Sequence, residues 1–256
     1  MKVVIMAGGM GTRISEESHA KPKPMIEIGD RPILWHIMKW YASFGFYEFV
    51  ICCGYKGHMI KDYFINYRDY QGDGRFDLGA DKTRFEKNIQ EPWKVTLANT
   101  GLRTLTAGRL LKVREYLGDE PFMLTYGDGV ADVDLRALLA YHKKAGKLVT
   151  ISTTQPEGRF GAIQIDEDGL VRNFKEKARK DQSFVNIGFM VMQPGVFSYL
   201  GDGSEMLEAG PFEKLAAAGE MAAYSHEGFW SPMDTMRDKE YLEKLWMREE
   251  APWRTE

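Results

Sequence analysis

A chain of 256 residues that is 44% hydrophobic and 28% charged has ordinary globular composition, enough for one large domain or two small ones with a sizeable core. A formal net charge of −3 and a pI near 6.0 exclude an overall field that would draw the chain onto nucleic acid or an anionic membrane; a small-molecule partner fits better. No apolar run approaches the roughly 18 residues of a membrane span, and the first residues lack the charged start and long apolar core of a signal peptide, so neither secretion nor membrane insertion is expected.

In chain order, Lys2-Val3-Val4-Ile5-Met6 predicts a short apolar strand, and Ala7-Gly8-Gly9 can turn sharply after it because glycine tolerates positive φ. A loop then runs to about residue 29. Asp30 and Pro32 give an N-cap and early-helix signal, and Ile33, Ile37, Trp40, Tyr41 and Phe44 recur at helical spacing before Gly45. Glu48 to Cys53 predicts a second buried strand, and Ile60, Tyr63, Phe64 and Tyr67 a helix behind it. Strand, helix, strand, helix implies a parallel sheet. The only two cysteines, Cys52 and Cys53, lie side by side in that second strand; they are expected to be buried structural thiols, which suits a reducing compartment with cytosol as the default.

Residues 68–93 break the alternation with Gly72, Gly74, Gly79 and many charges, and predict a long loop or irregular hairpin. A helix follows near 107–117, a strand at 121–126, then Gly127-Asp128-Gly129 and a helix from Asp134 to Lys144 closed by Gly146. From 148 to 193 the texture is β-rich around the turn Asp166-Glu167-Asp168-Gly169, with Val185 to Met192 an apolar strand. Helices at 204–218 and 235–247 enclose a last short strand. No repeat, low-complexity segment or Ser/Pro linker divides the chain, so one α/β domain is expected.

The run Gly8-Gly9-Met10-Gly11-Thr12-Arg13 at the end of the first strand is a ready phosphate site, since exposed backbone N–H groups can meet anionic oxygens without obstruction. It is not a dinucleotide fingerprint, which needs a third glycine where Ile14 stands, nor a P-loop, which needs Gly-Lys-Ser/Thr. Arg13 closes the glycine turn, and Lys23 follows between Pro22 and Pro24, which stiffen the backbone. A forked guanidinium suits the β- and γ-phosphates, and an ammonium suits the single α-phosphoryl group under attack.

This combined run resembles the signature of the sugar-1-phosphate nucleotidyltransferases, and the resemblance extends along nearly the whole chain. Its cytidylyltransferase branch is the most similar, on Glu91-Pro92-Trp93-Lys94-Val95-Thr96-Leu97, Thr100-Gly101, Thr106-Ala107-Gly108-Arg109 and Tyr126-Gly127-Asp128-Gly129-Val130 in order. The thymidylyl and uridylyl branches share the first loop more than these segments. The resemblance implies a single-domain, Rossmann-like three-layer α/β sandwich on a mixed, mostly parallel sheet. Residues 1–146 would form mainly the nucleotide-binding half, and 147–256 mainly the sugar-binding half with the C-terminal helices. It also implies CTP and glucose 1-phosphate as substrates, Mg2+ as cofactor, and a homo-oligomer, a hexamer among its forms. Implied nucleotide contacts are Met6, Ala7, Gly8, Gly9, Met10, Gly11, Thr12, Arg13, Lys23, Thr104, Thr106, Arg109 and Gly127, with Arg13 and Lys23 catalytic.

Asp128 sits between glycines at the C-terminal end of a predicted strand, where open α/β sheets hold ligands. An EF-hand reading of Asp128, Asp132 and Asp134 fails on spacing. Asp234, just ahead of the final helix, reads as a helix cap by position; the resemblance implies instead that it joins Asp128 as the second magnesium ligand. For the sugar end, Glu176-Lys177 alone reads as a solvated charge pair and Arg159-Phe160-Gly161 as a strand-entry turn. The resemblance implies that Glu176 accepts from sugar hydroxyls, Lys177 binds the sugar phosphate, and Gly161, Asn186 and Gly188 face the hexose. The family's proline after that lysine is replaced by Ala178. The five histidines show neither metal-ligand spacing nor a Ser/His/Asp arrangement, and no catalytic role is expected of them.

Overall fold

The first strand, β1 (Lys2–Ala7), is apolar on both faces and becomes an interior strand of the main sheet. The short helix α1 (Ser15–Ser18) and the ribbon β2 (Glu27–Ile28) and β3 (Arg31–Pro32) lead to α2 (Ile33–Ser43), β4 (Glu48–Cys53) and α3 (Gly57–Ile65). Then come the hairpin β5 (Asp73–Asp77) and β6 (Lys82–Glu86), β7 (Lys94–Asn99), α4 (Thr106–Lys112), α5 (Arg114–Leu117), β8 (Phe122–Tyr126), β9 (Gly129–Ala131), α6 (Leu135–Ala145) and β10 (Val149–Thr154). The hairpin β11 (Ala162–Ile165) and β12 (Val171–Lys175) precedes β13 (Val185–Met192), α7 (Pro211–Ala217), β14 (Met221–Ser225), β15 (Trp230–Pro232) and α8 (Met236–Met247). This computed structural model describes all residues except 12, 13, 68, 70–72, 78, 80, 81, 87–90, 156–161, 166–170, 176–182 and 256; for 15, 16 and the two hairpins β5/β6 and β11/β12 it describes the backbone alone.

Seven strands form one sheet in the order β14-β10-β13-β8-β1-β4-β7. The pairs β1/β4, β1/β8, β4/β7 and β10/β14 are parallel, while β13 runs antiparallel to both β8 and β10, so the sheet is mixed and mostly parallel as expected. Alternation along β1 sends Val3, Ile5 and Ala7 into one core and Val4 and Met6 into the other, which is why a continuous apolar run is needed. α2 and α8 pack in the first core; α4 and the 3-10 turn at Pro194–Tyr199 pack in the second. Cys52 and Cys53 are free, buried, and divided between the same two cores. Among the described residues no helix is long and apolar enough to cross a membrane.

The elements depart from the sequence reading where local signals compete. Asp30 lies in the turn between β2 and β3, and Pro32 rather than Asp30 stands before the helix, with no side-chain cap. The helix expected near 107–117 is broken at Val113 into α4 and α5. The helix expected from 204 begins only at Pro211: Gly210 has φ 93°, outside the helical region, and proline is tolerated in a first turn but not farther in. Residues 201–210 become a loop over the sheet's C-terminal edge. The prediction for 134–146 holds in detail, with the Asp134 carboxylate accepting from the Arg136 and Ala137 N–H groups at 2.9 Å and Gly146 left-handed at the C-cap.

Candidate active site

The parallel strands β4, β1 and β8 end side by side, so the loops after Cys53, Ala7 and Tyr126 share one edge of the sheet. The Tyr55 N–H donates to Gly8 O at 3.1 Å and the Gly127 N–H to Met6 O at 3.0 Å, tying the three loops together. A cavity of about 440 Å³ opens there. Of the predicted nucleotide contacts, Met6, Ala7, Gly8, Gly9, Gly11, Lys23, Thr104, Thr106, Arg109 and Gly127 line it, and so do Asp128 and Asp234. Met10 is exposed and is not part of the wall. Thr12 and Arg13 lie outside the described residues, as do Gly161, Glu176 and Lys177.

Lys23 is held from several directions. Pro22 is extended at φ −65° and ψ 145°, Lys23 opens a 3-10 turn over Lys23–Met25, and the segment before it is pinned where Tyr55 donates to Ser18 O at 3.3 Å and Lys56 to Ala20 O at 3.0 Å. An ion pair between Lys239 of α8 and Glu17 anchors the same segment to the C-terminal helix. The ammonium, on a residue only 6% exposed, donates to Asp128 Oδ2 at 2.8 Å and Asp234 Oδ1 at 2.6 Å. Pro22 and Pro24 therefore aim Lys23 as expected, but through a tight turn instead of a continuous extended run.

The two aspartates meet through an antiparallel ribbon. β9 pairs with β15 in the register Gly129↔Pro232, Val130↔Ser231 and Ala131↔Trp230, and the Met233 N–H donates to Asp128 O at 2.8 Å. Asp128 enters this ribbon and Asp234 leaves it, so both carboxylates reach the same ammonium. The helix-cap reading of Asp234 is off by one residue. Thr235 is the N-cap of α8, its hydroxyl accepting from the Asp238 N–H while Asp238 reaches back to the Thr235 N–H at 2.8 Å. With Thr235 serving the helix, the Asp234 side chain faces the cavity.

This donor set fits a hard divalent cation. Two carboxylates converge on one point at the cavity wall, with side-chain exposures of 36% and 23% that leave room for water and phosphate oxygens to complete a shell. Among the described residues no cluster of three or more His, Cys, Asp and Glu forms an all-protein cage, and magnesium is commonly bound by one or two carboxylates plus substrate phosphates.

Arg109 takes a supporting position. At 4% exposure, its guanidinium donates to Gly8 O at 2.9 Å, Gly101 O at 2.9 Å and Thr100 Oγ1 at 2.5 Å. Burial lowers its pKa from the ordinary arginine value. A Cβ on Gly8 would collide with that guanidinium, so the packing of Arg109 favours glycine here. Thr104 donates to Thr100 O at 2.6 Å, and Thr106 Oγ1 accepts from the Leu207 N–H at 2.7 Å. Asn186 and Gly188 lie on β13, next to β8; Asn186 Oδ1 accepts from the Gly188 N–H at 2.9 Å. Gly188 has φ +85°, and a Cβ there would sit 2.7 Å from Tyr126 Cδ2, so the Tyr126 ring packs closely against this glycine.

Tyr126, Leu105, Met206 and Glu208 line the cavity without having been expected there. The Tyr126 hydroxyl donates to Glu208 Oε1, and burial, then the neighbouring carboxylate, push its pKa well above the usual phenol value, keeping the donor protonated. Tyr126 was legible as part of Tyr126-Gly127-Asp128; nothing local marks the 201–210 loop as part of the site. The histidines that do have buried rings are structural: His36 bonds Ile28 O at 2.9 Å, His142 bonds Thr150 Oγ1 at 2.8 Å, and His226 pairs with Asp132 at 3.1 Å.

Residues 2–238 match the nucleotidyl transferase family. The chain is 50% identical to glucose-1-phosphate cytidylyltransferase of Salmonella typhi, over 100% of this chain and 99% of that protein. It is 30% identical to UTP–glucose-1-phosphate uridylyltransferase of Synechocystis, over 86% of this chain and 56% of that longer protein. A UDP-glucose pyrophosphorylase solved with UDP-glucose shares the fold at a TM-score of 0.70 and 17% identity, over 97% of this chain and 98% of that one. With the match running through the glycine loop, Lys23 and both aspartates to the start of α8, the chain belongs to the nucleotidyl transferase family and is a nucleotidyltransferase.

Proposed function

We propose that the enzyme transfers the cytidylyl group of CTP to α-D-glucose 1-phosphate, releasing CDP-glucose and diphosphate. The observation that carries the chemistry is the convergence of Lys23, Asp128 and Asp234 on one wall of the cavity beside the glycine loop. The choice of cytidine and glucose is supported by the full-length relative at 50% identity.

A sugar phosphate is already an anion near neutral pH, so its oxygen attacks the α-phosphorus directly while the bond to the β-phosphate oxygen breaks. No general base is needed, in keeping with histidines bonded to backbone and side-chain groups of the core. The chain's part is alignment and charge neutralisation. Lys23 moves from its two carboxylate partners to the α-phosphoryl oxygen, and Arg13 holds the departing diphosphate. Asp128 and Asp234 would hold the Mg2+, which supplies positive charge to the phosphate oxygens when bound. The ribbon β9/β15 keeps that pair in register, and Arg109 stiffens the backbone that faces the nucleoside. Residues 1–146 serve mainly the nucleotide and 147–256 mainly the sugar, through Gly161, Glu176, Lys177, Asn186 and Gly188. The enzyme works in the cytoplasm as a homo-oligomer, and a monomeric mass in light scattering at every concentration would remove that last element.

Diphosphate release measured with CTP, UTP, dTTP and ATP, each with and without glucose 1-phosphate and magnesium, tests the proposal. CTP with glucose 1-phosphate and magnesium should dominate. Faster turnover of dTTP or UTP would reassign the base, and no turnover with any sugar phosphate would overturn the reaction.

A further inference from the structure

The turn between β4 and α3 grips the glycine loop at its start and the segment leading to Lys23 at its end, while neither Tyr55 nor Lys56 lines the cavity. The Tyr55 N–H donates to Gly8 O at 3.1 Å, and the Tyr55 hydroxyl donates to Ser18 O at 3.3 Å. The Lys56 ammonium donates to His19 O and to Ala20 O, the second at 3.0 Å, and lies 5.5 Å from the centre of the Tyr55 ring. These two carbonyls follow the short helix α1, where a lysine side chain is a suitable donor to the exposed end of the turn. The fit against the loop is close: a Cβ on Gly54 would lie 2.5 Å from Gly8 O.

The backbone of Lys56 sets it apart from an ordinary solvated lysine. It is left-handed, with φ 47° and ψ 31°, in a turn closed by the Gly57 N–H donating to Gly54 O at 3.1 Å. Glycine takes that conformation freely, whereas a residue with a Cβ does so at a cost, and such costs concentrate where a side chain has work to perform. What the ammonium holds is joined to Lys23 by a stiff link. Only Lys21 and Pro22 separate Ala20 from Lys23, the Pro22 φ is fixed at −65°, and the Met25 N–H donates to Pro22 O at 2.7 Å. A shift at Ala20 is therefore carried to the Lys23 backbone. The Lys239–Glu17 pair fixes the other end of the same turn.

We infer that Lys56 is a positioning residue for the transfer: by holding the His19 and Ala20 carbonyls it sets where Lys23 enters the cavity. The inference rests on the reading that Lys23 acts in the chemistry.

The test is kcat and KM for glucose 1-phosphate, with the nucleotide that the wild type turns over fastest, for the wild type, Lys56→Gly, Lys56→Arg, Lys23→Ala and the double variant Lys23→Ala with Lys56→Gly, beside urea unfolding of each. Lys56→Gly removes the ammonium but suits the left-handed backbone, so its urea midpoint should stay at or above that of the wild type. Its kcat should fall about tenfold or more, within the roughly hundredfold that a misplacement near 1 Å can cost, with KM for glucose 1-phosphate little changed. Lys56→Arg, which keeps a cation of similar reach, should recover most of that loss. In the Lys23→Ala background Lys56→Gly should cost less than about twofold, because the group it places is gone. Wild-type kcat in Lys56→Gly, a Lys56→Arg enzyme as slow as Lys56→Gly, or losses that simply multiply in the double variant would overturn the inference. A lowered urea midpoint in Lys56→Gly would also overturn it, by making Lys56 a contact of the fold. Near-normal turnover of Lys23→Ala is a separate failure, in which the reading of Lys23 itself falls.

Discussion

Lys23 belongs to two groups at once, the cavity wall it shares with the glycine loop and the aspartate pair. Lys23→Ala should lower kcat by about a hundredfold to a thousandfold, the usual effect of removing a charge-stabilising donor, with little change in KM for glucose 1-phosphate. Near-normal turnover would remove Lys23 from the chemistry. Burial pushes the Cys52 thiol up to about 12 and the Cys53 thiol up to about 11, so little of either is thiolate at pH 8. A thiol-reactive dye should therefore label neither cysteine in the native enzyme and both after unfolding in guanidinium; labelling of the native protein would contradict the packing on both sheet faces. At this scale the residues flanked by glycine and proline were readable, because their backbone constraint is local. Glu208 was not readable. Its position depends on Tyr126 and Thr106, contributed by β8 and α4.

Among the elements, the ribbon β9/β15 and the start of α8 decide where the second aspartate points. Thr235→Ala removes half of a capping box and should cost about 1 kcal/mol in urea unfolding. A loss of stability with no frayed first turn in hydrogen exchange would place the effect elsewhere. By position alone the sequence reads Asp234 as the cap, while the resemblance gives it to the metal; the two adjacent residues Asp234 and Thr235 are both capable caps. Only the register of β15 against β9 separates them: Pro232 opposite Gly129 brings Asp234 to Lys23 and leaves the helix to Thr235. A similar competition delayed the start of the predicted 204–218 helix, because Gly210 at φ 93° followed by Pro211 can start a helix but cannot continue one.

For the whole molecule, two buried histidines link stability to pH. Burial lowers the His36 pKa from 6.5 to about 4, and burial also lowers that of His142. In the window between about 4 and 6.5 the unfolded chain binds protons that the native state does not, so stability falls as pH drops through it. For His36 alone the effect amounts to about 3 kcal/mol across that range, an upper figure for a fully neutral native ring. Urea unfolding at pH 7 and pH 5 should show the lower midpoint at pH 5. Equal midpoints would place these rings in contact with solvent.

The amino-acid sequence by itself determined the strand and helix succession around β1, β4 and β8, the glycine loop that follows the first strand, and the cation and carboxylates that accompany it. Those features depend on apolar period, glycine and proline, whose preferences act over a few residues. The tertiary structure alone decided the insertion of β13 antiparallel between β8 and β10, the meeting of Asp128 with Asp234, the use of Arg109 as a brace, and the arrival of Glu208 in the cavity. Each of these joins segments far apart in the chain, and is set by strand register and packing that no local pattern encodes.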